Sequence, residues 1–239
     1  MESRKLQIQV AWACRVLAMH GHGDLTLGHV SARGPNDVIY MKRSGLGLNE
    51  VTPDDVLGID LEARKVSGQG DVHLEAVLHT EAYRVRPDVG AVVHSHPPYT
   101  TALAVSGAEL QKLGHDSILF HQGLGYFDAT AEMITRVEQG RAVADALGDR
   151  RAVLLRNHGV LVVGNDVPWM TYCALTLERA VMIQSIAATL GPLQPISPQM
   201  AERVFELKYP DSLIRVYWDY LVREARRTGN GEGMPADAG

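Results

Sequence analysis

Cysteine is scarce: the 239 residues include two, Cys14 and Cys173. They can pair at most once and neither lies in a C-x-x-C pair, so neither a disulfide framework nor a cysteine zinc module is expected, and a reducing cytoplasm is. Long apolar runs are missing too. None reaches the roughly 18 residues of a membrane helix, and the N-terminal segment, interrupted by Gln9 and Arg15, lacks a signal-peptide core, so no membrane partner is expected. Basic charge is not in excess: 23 Lys and Arg face 28 Asp and Glu, a net charge of -5. That composition argues against a general nucleic-acid binder. No internal repeat and no low-complexity linker occurs. Several catalytic motifs are also lacking: G-x-S-x-G, a Walker A loop, G-x-G-x-x-G and H-E-x-x-H. Gly45-Leu46-Gly47 is a weak glycine signal with no phosphate lysine after it.

What is present is an ordinary globular composition, 46% hydrophobic and 21% charged, in a chain long enough to bury a core without staples. Ser3 can cap a helix with Leu6, Val10, Cys14 and Leu17 on one face, ended by Gly21 and Gly23. Short apolar runs at 27–33, 38–41, 56–59 and 65–67 predict a strand meander. A helix is expected over 72–85, a buried strand over 89–94 and a helix start at Pro98. Asp128 or Thr130 is expected to open a helix ending near Leu147-Gly148. Residues 152–155 and 160–163 read as a hairpin turning through Arg156-Asn157-His158-Gly159, and Asp166 as the cap of a long helix running to Gly191. Two further helices follow, one capped by Ser197, the other over 212–227. Domain 1–227 is expected to be a single unit and 228–239 a disordered Gly-rich tail. Strands and helices mix without strict alternation, which favours one α/β domain over a Rossmann repeat.

Ten histidines carry the functional information. His94 and His96 stand two apart at the end of an apolar strand, so their side chains share a face and can chelate one divalent ion. His158 follows another apolar strand and is a plausible third ligand. Three imidazoles leave an open metal position, the layout of a catalytic site. On spacing alone the same three residues also read as strand-end histidines bonded to backbone. Glu75 and His79 share a helix face with Tyr83 one turn on, either as a proton shuttle or as a surface pair. His20, His22 and His115 read as surface or helix-end histidines.

Six segments occur in order: Gly28-His29-Val30-Ser31, Arg43-Ser44-Gly45, Glu75-x-x-x-His79-x-x-x-Tyr83, Arg86-Pro87-Asp88, Ala91-Val92-Val93-His94-Ser95-His96 and Arg156-Asn157-His158-Gly159-Val160. Over about residues 5–190 they resemble the class II aldolase/adducin family. The resemblance implies an α/β, single-domain, three-layer αβα sandwich with a central mixed, largely antiparallel sheet. It implies a homotetramer with active sites between subunits. By motif match, His94, His96 and His158 become ligands of one divalent metal ion per subunit, zinc or manganese foremost, iron or cobalt as alternatives. Glu75 becomes the acid/base.

The departures bear on substrate. Sugar-phosphate aldolases of the family carry Gly-Asn-x-Ser where His29 stands here, and two small hydroxyl residues where His73 and Leu74 stand. Ser44 and Gly45 survive but make a poor phosphate cradle alone. His29 and His73, with Arg33, Lys42 or Arg43, could bind a carboxylate or phenolate of a small-molecule substrate, and His121 is a further pocket candidate. His29 in this setting resembles branches that decarboxylate hydroxy-aromatic acids. The expected reaction is therefore metal-dependent decarboxylation of such an acid through a stabilised enolate or phenolate. The alternatives are retro-aldol cleavage of a hydroxy-carbonyl compound and, remotely, a non-catalytic adducin-like interaction module.

Overall fold

The structure, a computed structural model, describes residues 2–235. Helix α1 (Glu2–Leu17) buries Val10, Ala13, Cys14 and Leu17. It widens into a π-helical turn, Ala18–His22, where Gly21 takes φ +86°, a left-handed value that glycine adopts without a Cβ penalty. Ser3 lies inside α1 instead of capping it. Four antiparallel strands follow in sequence: β1 (His29–Arg33), β2 (Ile39–Lys42), β3 (Val56–Ile59) and β4 (Lys65–Ser67). They are the expected meander.

Helix α2 (Ala76–Val85) leads to β5 (Ala91–Ser95), and α3 (Pro98–Ser106) and the single turn α4 (His115–Ile118) to β6 (Gly125–Phe127). Then come α5 (Val137–Leu147), the hairpin β7 (Ala152–Leu155) and β8 (Gly159–Gly164), and helices α6 (Val167–Leu190), α7 (Pro198–Lys208) and α8 (Asp211–Arg227). The Asp166 carboxylate accepts from Trp169 N at 3.0 Å and Ser197 Oγ from Met200 N at 3.3 Å, the two N-caps expected.

All eight strands form one open sheet in the order β4-β3-β2-β1-β5-β8-β7-β6. Every neighbouring pair is antiparallel except β6 with β7. Side chains alternate across it. Val30, Ala32, Val93 and Val162 pack under α1, α6 and α8, whereas Met41, Ile59, Val92 and Leu161 pack under α2 and α5. The result is helix, sheet, helix in three layers, the α/β sandwich with a mixed, largely antiparallel sheet that was expected. Of the tail expected to be disordered, residues 228–235 turn back on α1, where Glu232 O accepts from Arg15 and Met234 packs on the core. Residues 236–239, like Met1, lie outside the described residues.

Candidate metal and active site

The sheet gathers the histidines at one end. His29 opens β1 and is paired with His94 near the end of β5, and His94 is paired in turn with Leu161 of β8. The β7–β8 turn carries His158 to the same end, with Asn157 at φ +57° and His158 N donating to Leu155 O at 3.1 Å. One ring nitrogen from each of His94, His96 and His158 lies within 4.8 Å of the other two.

In two of the three rings the outer nitrogen fixes which edge looks inward. His94 Nδ1 donates to the Val160 carbonyl at 3.0 Å, and His96 Nδ1 to the Asp24 carboxylate at 3.0 Å. The two Nε2 atoms are turned toward each other, 3.1 Å apart. Neutral rings so arranged can turn both lone pairs on one shared cation. Burial pushes the pKa of His94 well down and lowers that of His158. It favours the neutral rings that a metal needs.

Glu75 precedes α2 and is 4% exposed. Its Oε1 accepts from Ile134 N at 2.8 Å. That leaves the carboxylate among the histidines, with Oε2 3.7 Å from His94 Nε2 and Oε1 3.6 Å from His158 Nε2. The segment before α5 was expected to be helical from Asp128 or Thr130. It is irregular up to Val137, and this frees the Ile134 amide for Glu75.

His29 is fully buried, its Nε2 3.9 Å from Glu75 Oε2. The His73 ring lies 3.9 Å from the His29 ring, and burial lowers the His73 pKa to about 4. Ser44 N donates to Asp71 O at 2.9 Å, so the Ser44-Gly45 turn adjoins the segment leading to His73 and Glu75. A side chain at Gly45 would meet nothing within 4 Å.

Two expected pocket residues are not brought to the cluster. Arg33 stands at the far end of β1, four residues and about 13 Å along the strand from His29. There its guanidinium donates to the Tyr83 carbonyl and lies 5.0 Å over the Tyr83 ring. His121 packs on Phe205 of α7 with ring centroids 4.3 Å apart, and Phe205 in turn lies under Arg151, at the start of β7 and the opposite end of the sheet. Of the other cations, Lys42 is buried and donates to Thr26 O at 3.2 Å, and Arg43 pairs with Asp55 at 2.9 Å. His22 was read as a surface or helix-end residue. It is buried, because the π-helical turn points it inward, and its Nδ1 lies 2.9 Å from Ser95 Oγ.

A sequence model of the class II aldolase and adducin N-terminal domain matches residues 8–185. The chain belongs to that family. A protein of Schizosaccharomyces pombe called meiotically up-regulated gene 14 protein is 28% identical over 204 residues, covering 82% of this chain and 79% of that one. A 3,4-dihydroxyphthalate decarboxylase of Arthrobacter keyseri is 30% identical over 193 residues, 71% of this chain and 73% of the other. A 5-deoxy-D-ribulose 1-phosphate aldolase of Bacillus thuringiensis is 29% identical over 154 residues, 64% and 71% of the two chains. Among solved structures, an aldolase II superfamily protein of Pseudomonas syringae superposes with a TM-score of 0.85 at 26% identity, covering 96% and 95% of the two chains. An L-fuculose 1-phosphate aldolase of Glaciozyma antarctica reaches 0.86 at 22% identity, over 98% and 93%, a likeness of fold. Membership among these aldolases and decarboxylases makes the chain an enzyme, a lyase.

Proposed function

We propose that this lyase decarboxylates a hydroxy-aromatic carboxylic acid and that it depends on one divalent metal ion held by His94, His96 and His158. The observation that carries this reading is the pair of imidazoles beside Glu75. His29 and His73 pack together there, ring planes tilted by 41°, and Leu74 precedes Glu75, where phosphate-binding aldolases of the family place small hydroxyls. Flat rings and N–H donors suit an aromatic acid better than a sugar phosphate. The decarboxylase relative supports the same reading.

When bound, the metal would supply Lewis acidity toward an adjacent hydroxyl and carboxylate. Glu75 holds the proton. Ile134 N fixes its Oε1, which leaves Oε2 to face the pocket. The ring carbon–carboxyl bond breaks, carbon dioxide leaves, and the electron pair stays on the ring carbon. Glu75 then delivers its proton to that carbon. Burial among neutral imidazoles excludes water that would otherwise compete.

The test is carbon dioxide release from ortho-hydroxy aromatic mono- and dicarboxylates by zinc- or manganese-loaded protein, with Glu75→Gln as control. Release that needs metal and collapses in the variant supports the proposal. Folded, metal-loaded protein that releases none across the panel defeats it. A second reading, aldol cleavage, draws on the Ser44-Gly45 turn beside the site and on the aldolase relative. Aldehyde release without carbon dioxide would favour it.

A further inference from the structure

On the α6 and α8 side of the sheet lies a cavity of about 650 Å³ that the proposed reaction does not use. None of Glu75, His94, His96 and His158 lines it. Four tyrosines do: Tyr99 of α3, Tyr172 of α6, and Tyr217 and Tyr220 of α8. Tyr172 and Tyr217 stack, with ring centroids 5.4 Å apart and planes 18° apart. Tyr99 and Tyr220 are the open ones, 38% and 49% exposed. Leu175, Met182 and Leu221 add apolar wall. A concave site of this volume, mostly apolar with a few polar groups, suits a small molecule.

The charged groups around the cavity are answered by partners, with one exception. Asp116 pairs with Arg179 at 2.9 Å. Glu178 accepts from Tyr99 N, Thr100 N and Thr100 Oγ, so both of its oxygens are engaged. His20 faces Glu224 at 3.7 Å. Lys208, the last residue of α7, also lines the cavity and has no carboxylate within 4 Å among the described residues. Its Nζ lies 5.8 Å from the centroid of the Tyr209 ring. An entering molecule therefore meets flat aromatic walls and one ammonium without a counter-charge.

We propose that this cavity binds a small aromatic carboxylate, its ring against the tyrosines and its carboxylate on Lys208, at a site separate from the metal-capable cluster. A ring gains from packing on tyrosine faces and edges what an aliphatic body of the same size does not. The carboxylate gains a charge-assisted hydrogen bond from the ammonium, which a neutral ligand forgoes. A cationic ligand would meet Lys208 with no unpaired acid to balance it. The site is separate from the histidines but adjoins them along the chain. Pro98 and Tyr99 come just after His96, and His20 and Gly21 come just before Asp24, whose carboxylate holds His96. This inference does not depend on the proposed function.

The test is equilibrium dialysis of 2-naphthoate against metal-free protein. This probe has no hydroxyl beside its carboxylate, so it lacks the chelating pair proposed for the substrate. One site per chain is expected, with a Kd of about 1 mM or tighter, the least that about 13 well-buried non-hydrogen atoms supply. Lys208→Met should weaken binding about tenfold or more, the value of a lost hydrogen bond to a charged group. The neutral 2-naphthamide should bind wild-type protein more weakly by a similar factor. Tyr220→Leu and the saturated counterpart, decahydro-2-naphthoate, should each cost about 2- to 10-fold. Neither Lys208 nor Tyr220 belongs to the buried core, so both variants should melt with the wild-type protein. His158→Ala should bind as wild type does. Undiminished binding in Lys208→Met overturns the proposal, and so does binding that is lost in His158→Ala, which would put the probe among the histidines. No binding at about ten times that Kd also overturns it, and is the result expected if a second copy of the chain covers the cavity.

Discussion

An imidazole of the cluster offers two nitrogens, and in His94 and His96 the outer one is held by a partner. Asp24 orients His96 at 3.0 Å. Asp24→Ala should therefore weaken zinc binding about 10- to 100-fold, read by chelator competition. Glu75→Gln should keep the metal and lose about 10²- to 10⁴-fold in turnover, because the amide cannot hold the transferable proton. Buried histidines also set a pH dependence for the metal-free protein. His22 and His79 are pushed down to about 3 in the fold, against about 6.5 unfolded. Between those values the unfolded chain binds more protons, so stability rises with pH across that window and is lost as pH falls from 6.5 toward 3. Urea titrations should show up to about 1.4 kcal/mol per pH unit for each such histidine. A flat profile would place these rings in water. At this scale the sequence was legible where geometry is local: His94 and His96 follow from the two-residue strand period. Asp24 and the Ile134 amide carry no local sign, since long-range folding alone brings them to the site. The same long-range folding sets Arg33 and His121 away from the cluster within the chain.

The elements that hold the site are tightly fitted. A Cβ on Gly159, where β8 begins, would come within 2.5 Å of the His96 ring and 2.6 Å of Ser95 O. Gly159→Ala should lower stability by about 1–3 kcal/mol and weaken zinc binding, measured by denaturation and metal titration on the same sample. Glu178 of α6 accepts from Tyr99 N, Thr100 N and Thr100 Oγ at 2.7–2.9 Å. It caps α3 immediately after the His96 corner, and Glu178→Ala should cost about 1 kcal/mol. Helices with strong caps were legible within a residue or two, as α6 was from Asp166 and Pro168. So were the β7–β8 hairpin and the meander, whose apolar runs are bounded by turn residues. Helix α2 begins at Ala76 and not near Val72, because residues 72–75 deliver His73 and Glu75 to the pocket. Strand β6 has three residues and lies at the sheet edge in parallel pairing, too short for a period to show.

For the whole molecule, the sheet puts the metal-capable cluster at one end and the Arg33 and Arg151 region at the other. The two cysteines are buried and unpaired. Burial pushes Cys14 up to about 12 and Cys173 to about 11, so both thiols should resist alkylation in the native state. Ile183, Ile186 and Leu190 stand exposed along the last turns of α6. They form an apolar face that the four-chain assembly expected from the family resemblance would cover. Light scattering should return the mass of four chains, and a monomer at micromolar concentration would contradict it. The central claim, that His94, His96, His158 and Glu75 form a metal-dependent decarboxylating site, is tested most directly by titrating metal into stripped protein while recording carbon dioxide release from an ortho-hydroxy aromatic acid. The account predicts release that rises with metal and saturates at one ion per chain. It predicts none in His158→Ala. Release by the stripped protein, or full metal binding with no release from any acid of that class, would contradict it.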